Sequence, residues 1–201
     1  MTLESSKYDM VVFTAPSGAG KTTIVRHLLE KYPQKFAFSV SATTRPKRPN
    51  ETEGIDYYFL SEPEFKQRVS QGDFVEYEEV YPDRYYGTLR AEVDRIIDSG
   101  KIVLFDIEIY GAQNIKDKYD DNCLVIYVKP PSFEVLVRRL TKRGTETPKS
   151  IEKRIKRIKK ELLFESSFDK VLLNDVLEVT LKEAERMMET LVFGTSQNFS
   201  E

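Results

Sequence analysis

The sequence predicts an α/β domain in which a parallel sheet carries helices on both faces. Three observations support this prediction: apolar β-forming runs recur along the chain, helical patterns lie between them, and the first run ends in a glycine-rich turn. Strands that alternate with helices are joined by right-handed crossovers, which make neighbouring strands parallel. The predicted strands span residues 8–14, 102–106, 123–128 and 169–173.

The helical segments are recognised by apolar residues that recur at spacings of three and four. Ser132 is placed to cap one of these helices, because a serine before the first turn accepts a hydrogen bond from a free backbone N–H. Gly100 ends another, since glycine commonly follows the last helical turn. The predicted helices span residues 21–31, 89–99, 132–142 and 178–193.

Two regions interrupt this alternation and are interpreted as insertions on the α/β core. Residues 41–88 are rich in Tyr, Arg, Glu and Pro, with short β-like pieces around a helix that Ser61 and Glu64 open as a capping box. Residues 141–164 are crowded with cations. An apolar stripe runs along this second insertion and predicts a basic helix; it consists of Ile151, Ile155, Ile158 and Leu162.

Composition narrows the class of protein. The 201 residues are 40% hydrophobic, enough for one domain with a full core. With 31 Lys and Arg against 33 Asp and Glu, the net charge of -2 argues against general nucleic-acid binding. The single cysteine, Cys123, lies in an apolar run and is expected to be a core thiol. We find no signal region and no membrane-length apolar run, so we expect a cytoplasmic protein without membrane contact.

The glycine-rich turn "APSGAGKT" nearly matches the phosphate-binding loop G-x-x-x-x-G-K-[ST]. Gly18 and Gly20 allow a backbone whose N–H groups point inward at the start of the next helix, where anions bind. Lys21 adds a charge for the terminal phosphates, and Thr22 offers a hydroxyl to Mg²⁺. Ala15 replaces the first glycine and should strain or shift the loop entrance slightly. The residues predicted to bind ATP here are Ala15, Pro16, Ser17, Gly18, Ala19, Gly20, Lys21, Thr22 and Thr23.

The surrounding motifs restrict the kind of nucleotide-binding protein. The D-x-x-G and N-K-x-D sequences expected of GTPase switches do not occur, and ATP-driven motors usually exceed this length. A small kinase remains, and a kinase requires a second substrate site. Residues 41–88 are the candidate for that site.

A phosphate pocket is predicted from "SATTRPKRP". Arg45 and Arg48 each precede a proline, which favours extended or polyproline geometry and lets side chains three apart face the same side. Two guanidinium forks on one side suit a phosphate, and the hydroxyls of Tyr57 and Tyr86 can add hydrogen bonds. A solvated basic loop and ordinary strand packing are the alternatives, and strand packing is favoured by alternation for the neighbouring tyrosines, Tyr58 and Tyr85.

Glu76 interrupts the aromatic run "FVEYEE" and is either paired or exposed to solvent. Guanine presents N1–H and N2–H₂ side by side, and a carboxylate can accept from both. Adenine lacks that pair of donors. Glu76 is therefore a candidate for recognising guanine.

Taken together, these motifs resemble the guanylate kinase family. The resemblance runs along nearly the whole chain, through "SGAGK", "FSVSATTRPKRP", "GIDYYF", "YYGT", "DIEIYGAQ", "RLTKRGTET" and "NDVL". It implies transfer of the γ-phosphoryl group of Mg²⁺-bound ATP to GMP and dGMP, in purine nucleotide metabolism, and a sheet of the P-loop NTP hydrolase type. It also implies three parts: a core (1–40, 89–133, 165–201), a GMP-binding lobe (41–88) and a lid (134–164).

The resemblance further implies roles for individual residues. It places the GMP phosphate on Arg45, Arg48, Tyr57 and Tyr86, guanine on Glu76 and Asp106, and the base O6 near Ser41 and Thr88. The implied catalytic cations are Lys21, Arg139, Arg143 and Arg154, and Asn174 lies near adenine. Asp106 also ends an apolar strand where a phosphate-loop protein places the acid beside its magnesium, so the sequence leaves its two roles open.

Other interpretations remain at this stage. A binding module on the same fold, such as one that holds phosphopeptides, would have a degraded phosphate loop. A kinase for another acceptor, such as AMP or a phosphorylated sugar, would not use Glu76 as a guanine contact. Glu108 stands where an aspartate is expected in the family, and its role is unassigned. The sequence does not reveal the oligomeric state.

Overall fold

The computed structural model describes residues 6–142 and 148–194. Its strands are β1 (Met10–Thr14), β2 (Phe36–Phe38), β3 (Ser41–Thr43), β4 (Tyr58–Phe59), β5 (Phe74–Tyr81), β6 (Arg84–Leu89), β7 (Ile102–Ile107), β8 (Cys123–Lys129) and β9 (Lys170–Leu173). Its helices are α1 (Lys21–Lys31), α2 (Glu62–Gln71), α3 (Arg90–Asp98), α4 (Ile109–Tyr119), α5 (Phe133–Lys142), α6 (Pro148–Glu161) and α7 (Leu177–Met187). A π-helical turn, Met188–Val192, extends α7.

Five strands form the predicted parallel sheet, in the order β2-β7-β1-β8-β9. All of its pairings are parallel, and β1 lies at the centre between β7 and β8. Alternate residues of β1 enter opposite apolar clusters, because successive side chains of a strand point to opposite faces. Val11 packs in the cluster shared with α1 and α7, and Val12 in the cluster shared with α3 and α4. The prediction of helices on both faces is confirmed.

A second sheet of four strands, in the order β4-β3-β6-β5, is built from the first insertion. Its small core consists of Ala42, Phe65 and Phe74, with Tyr58 and Tyr85 packed against it, which confirms strand packing for these two tyrosines. Leu89 pairs with Phe74, so β6 extends one residue past the predicted lobe boundary. The helix inside this insertion begins as the capping box predicts: the Ser61 hydroxyl accepts a hydrogen bond from the Glu64 N–H at 3.3 Å.

Helix α5 and helix α6, the latter in the second insertion, pack on the cluster that also holds α1. Leu136 and Leu140 of α5 and Ile158 of α6 are fully buried there. Ser132 caps α5 as predicted, accepting a hydrogen bond from the Val135 N–H at 3.3 Å.

The predicted site residue Arg143 lies outside the described residues. The division into core, lobe and lid stays a prediction.

Outside the first insertion, the edge strand β2 and the helix α4 were not foreseen. Strand β2 has only three residues, and α4 begins with "IYG", a combination that predicts a helix poorly.

Cys123 is buried as expected. Within the described residues, no helix combines the length and the apolarity needed to cross a membrane.

Candidate active site

A cleft of about 270 Å³ lies between the carboxyl ends of β1 and β7 and the second sheet. In open α/β sheets, ligands bind at this edge. The cleft brings together most of the predicted site residues, from both the phosphate loop and the first insertion. Those that line it are Ser17, Gly18, Ala19, Gly20, Lys21, Thr22, Thr23, Ser41, Arg45, Arg48, Tyr57, Glu76, Tyr86, Asp106 and Arg154.

The phosphate loop follows directly from its glycines. Gly18 and Gly20 have φ angles of 91° and 97°, in the left-handed region that a side chain disfavours. The loop turns through a hydrogen bond from the Ala19 N–H to the Pro16 carbonyl at 3.1 Å, and α1 begins at Lys21. The positive end of α1 therefore faces the cleft, as an anion site requires.

Ala15 fits the loop entrance without adopting a strained, positive φ angle. Among the non-glycine residues that the structure describes, positive φ angles occur at Asp83 and Asp120 only. Ala15 is fully buried behind the loop and, with the buried Pro16, does not line the cleft.

Lys21, Thr22 and Asp106 form one polar group at the base of the loop. The Lys21 ammonium donates to the Ala15 carbonyl at 3.1 Å and lies 3.8 Å from the Asp106 carboxylate. The Thr22 hydroxyl donates to the other Asp106 oxygen at 2.5 Å. Burial raises the pKa of Asp106, while Lys21 and Thr22 oppose that rise. The arrangement puts Asp106 on the side of the predicted magnesium ligand Thr22.

Arg139 and Asn174 lie behind the phosphate loop and do not line the cleft. The Asn174 side-chain amide donates to the Ala19 carbonyl at 2.6 Å, and Arg139 approaches the same carbonyl at 3.5 Å. A side chain at Gly20 would collide with the Asn174 amide. Arg139 and Asn174 therefore support the phosphate loop from the side away from the cleft. Arg154 contacts the loop on the cleft side, where it donates to the Ser17 hydroxyl at 3.1 Å.

Arg45 and Arg48 of the first insertion face the same cleft as Lys21. Both Arg45 Nη atoms bind the Glu51 carboxylate at 2.7 Å, and Arg48 donates its backbone N–H to that carboxylate at 2.8 Å. The Arg45 guanidinium also lies 4.9 Å from the ring centre of Tyr57. Burial would lower the pKa of Arg45, but the Glu51 and Tyr86 contacts outweigh it and raise the pKa.

Glu51 is a residue that the sequence analysis missed. The sequence shows a carboxylate three residues after Arg48, but it does not show the burial of Arg45, which makes a carboxylate partner necessary. The pKa of Glu51 is lowered, chiefly by its hydrogen bond from Arg45.

Glu76 is buried at the far end of the cleft. The Thr88 hydroxyl donates to its carboxylate at 2.7 Å, so the fully buried Thr88 reaches the site through Glu76. Gly111 of α4 packs against the other carboxylate oxygen: a Cβ at this position would lie 2.6 Å from it. Burial raises the pKa of Glu76 to about 7, although the hydrogen bond from Thr88 opposes the rise. Ser41 pairs with Thr88 across the two strands and lines the cleft.

Further cleft residues escaped the sequence analysis. Arg157 was counted among the cations of the basic helix without a role, yet it faces the cleft, together with Glu78, Tyr81 and Glu108. Its spacing of three from Arg154 was the available signal, since residues three apart share a helix face. Three other cations of this helix are exposed to solvent: Lys156, Lys159 and Lys160.

The base of the loop offers oxygen atoms that could take part in holding a metal. Within the described parts of the chain, no group of three or more His, Cys, Asp and Glu side chains is arranged to hold a metal ion. The adjacent oxygens of Thr22 and Asp106 are nevertheless the hard ligands that Mg²⁺ takes when phosphates and water complete its shell.

Comparison with known proteins gives one consistent result. A family model described as guanylate kinase matches residues 7–191. The guanylate kinase of Salinibacter ruber is 49% identical over 175 residues, which cover 87% of this chain and 92% of the relative. That of Bacteroides fragilis is 46% identical over 181 residues, covering 90% and 88%. The crystal structure of the guanylate kinase from Anaplasma phagocytophilum matches with a TM-score of 0.71 at 26% identity, over 94% of this chain and 88% of that one.

Proposed function

Because the chain belongs to the guanylate kinase family, we propose that it transfers the γ-phosphoryl group of Mg²⁺-bound ATP to GMP and dGMP, giving ADP and the diphosphate. One observation carries this proposal: Lys21 on its phosphate loop and the pair Arg45 and Arg48 line the same cleft. Two anionic substrates held by these two groups would meet between them. We propose that both substrates come from the ATP and GMP pools of the cytoplasm.

On the ATP side, the backbone N–H groups of the loop and the Lys21 ammonium would bind the phosphates. Thr22 and Asp106 would hold Mg²⁺, which, when bound, neutralises charge on the β- and γ-phosphates. Their short hydrogen bond supports this assignment, because it shows two hard oxygens at one point of the cleft. Asn174 would lie towards adenine, beyond the loop carbonyl that it contacts.

On the GMP side, the phosphate would take the place of the Glu51 carboxylate on the arginine forks. Arg45 already presents both Nη atoms to a carboxylate at 2.7 Å, a geometry that suits two phosphate oxygens equally well. Arg48, Tyr57 and Tyr86 line the same part of the cleft and would complete the phosphate site.

Guanine would be recognised by Glu76 in its ionised form. A carboxylate accepts from N1–H and N2–H₂ together, and the Thr88 hydroxyl fixes its orientation. Ser41 would lie near the O6 edge. Asp106, whose side chain reaches the same cleft, is proposed for the magnesium side and also as a neighbour of the base.

Phosphoryl transfer to GMP requires that the substrates are positioned and that negative charge is stabilised, and it does not require a general base. The GMP phosphate is already anionic, so the acceptor needs no deprotonation to attack. Lys21, Arg139, Arg143 and Arg154 are the cations that we propose for the charge that builds up in the transition state. Arg154 supports this role most directly, since it contacts the phosphate loop through Ser17 at 3.1 Å.

A binding module without catalysis is the second candidate, and no feature of the described site favours it. Such a module has no need for a buried lysine on an intact loop, and Lys21 is 9% exposed beside Asp106.

The test is a coupled assay of ADP release with GMP, dGMP, AMP, UMP and CMP as acceptors. We expect turnover with GMP and dGMP, and at most a trace with the other three, because only guanine offers the donor pair for Glu76. Equal turnover with AMP would contradict the acceptor assignment. Binding of ATP and GMP without turnover would favour the binding module.

A further inference from the structure

Arg157 lies at the centre of an ionic cluster that joins three elements of the cleft. From α6, its Nη2 binds Glu78 of β5 at 2.7 Å and its Nη1 binds the Val80 carbonyl at 2.7 Å. Its Nε binds Glu161 one turn along α6, and Glu108, just before α4, lies 4.0 Å away. A single guanidinium therefore connects α6 to β5 and approaches α4.

This cluster is largely removed from water. The side chains of Arg157 and Glu78 are 16% and 15% exposed, and that of Glu161 is fully buried. The rings of Tyr81 and Tyr110 flank the guanidinium at 5.8 and 6.0 Å. Removing one member of such a buried ion pair leaves an uncompensated charge, so a substitution of Arg157 or Glu78 should disturb the contact between the two elements.

The same two elements carry groups of the two substrate sites. On β5, Glu78 follows Glu76 by two residues, so both side chains point to the same face of the strand. On α6, Arg157 follows Arg154 by three residues, so the two share one helix face. Arg154 contacts Ser17 of the phosphate loop. A continuous path of contacts thus runs from the guanine-side strand to the ATP-side loop.

We propose that Arg157 is a positioning residue that couples the two substrate sites. Through Glu78 it ties α6 to the strand that carries Glu76, so GMP bound at Glu76 holds Arg154 in place at the phosphate loop. This inference rests on the proposed function, since it takes GMP as the ligand of the first insertion. By linkage, GMP must then tighten ATP binding by the same factor as ATP tightens GMP binding.

The experiment is calorimetric titration of a non-hydrolysable ATP analogue with Mg²⁺, without GMP and with saturating GMP. We expect GMP to tighten binding of the analogue in the unmodified protein by about tenfold, within the usual range of coupling. The factor should fall to about one in Arg157→Met and in Glu78→Gln, with no further loss in the double variant. Arg157→Lys should retain part of it, because the charge is kept while the fork is lost.

Lys156→Met is the matched control, since Lys156 lies on the exposed side of the same helix, 74% exposed and paired with Glu152. It should leave the coupling factor unchanged. An unchanged coupling factor in Arg157→Met would overturn the inference. So would a loss of GMP affinity that is the same with and without the ATP analogue, because it would indicate that Arg157 contacts GMP directly. If Arg157→Met does not fold, Glu78→Gln and Arg157→Lys decide in the same way. GMP binding without any coupling in the unmodified protein overturns this inference alone, whereas no GMP binding at all overturns the proposed function too.

Discussion

The two sides of the cleft are built in different ways. The proposed ATP side is a continuous loop, residues 15–22, in which backbone angles and one helix terminus create a geometry suited to anions. The proposed GMP side is assembled from β3, the segment after it, β5 and β6, and two of its polar side chains are buried: Arg45 and Glu76 are each 7% exposed. Local geometry thus forms the first site, and long-range packing around these buried polar groups forms the second.

The largest expected effect is on the ATP side. Lys21→Ala removes the mobile charge for the terminal phosphates, and turnover should fall by about 10²–10³-fold or more, as for other single groups that stabilise transition-state charge. GMP affinity should change little, because the GMP side does not depend on this loop for its shape. Steady-state kinetics with calorimetry of GMP binding would measure both.

The control is Lys31→Ala, at the end of the same helix, where the ammonium pairs with Glu185 at 2.9 Å and faces solvent. It should retain its turnover. A Lys21→Ala variant with near-normal rates would refute the role of the loop.

Glu76→Gln should act on the other side alone. A carboxylate accepts from both guanine donors, whereas an amide accepts with one oxygen and presents its own N–H₂ to a donor. We expect GMP binding to weaken by about 10–100-fold, as for a lost hydrogen bond to a charged group, with ATP-analogue binding retained. Glu79→Gln, exposed on the same strand, is the control. An unchanged ratio of GMP to AMP turnover in Glu76→Gln would contradict base recognition by this residue.

The burial of Glu76 also predicts that GMP binding depends on pH. Burial raises the pKa of Glu76 from 4.5 to about 7 in the ligand-free protein, so at pH 6 the folded protein carries a proton there that guanine must displace. GMP affinity should therefore rise by about fivefold between pH 6 and pH 7 and by about a further twofold before it levels off above pH 8, with close to one proton released per site at pH 6. Calorimetry in buffers of different ionisation heat would count that proton.

Glu76→Gln is the control for this pH effect, because it keeps the titration of the GMP phosphate itself, whose second pKa is about 6. The difference between the two proteins isolates the carboxyl. Because the pKa of Glu76 is higher in the folded protein than in the unfolded chain, this carboxyl stabilises the ligand-free fold at low pH. That contribution to the free energy of unfolding is lost as the pH rises through about 7. Identical pH profiles in the two proteins would contradict the assigned pKa.

A smaller effect is expected from Gly111→Ala. Its Cβ would lie 2.6 Å from a Glu76 oxygen, and the carboxylate, held by Thr88, must shift. We expect GMP to bind about fivefold more weakly, the equivalent of one ordinary hydrogen bond. Asn114→Ala, exposed on the same helix, should have no such effect. Unchanged GMP affinity in Gly111→Ala would show that the tight packing around Glu76 is not needed.

The same difference explains what could be predicted from sequence. The phosphate loop and the parallel sheet were predictable because their signals are local: "SGAGKT" specifies its own turn, and alternating apolar runs specify the sheet. Glu51 and Arg157 were missed because their importance comes from burial against partners. The Arg157–Glu78 contact spans 79 residues of sequence, and no local pattern contains it.

Both nucleotides are proposed to bind in one cleft, between cationic groups that line it from two sides. The most direct measurement is calorimetric titration with adenosine and guanosine joined through a polyphosphate bridge. We expect one molecule to bind per chain, to compete with both ATP and GMP, and to bind more weakly in Lys21→Ala and in Arg48→Ala alike. A compound that competes with only one nucleotide, or that is sensitive to only one of the two substitutions, would contradict the claim.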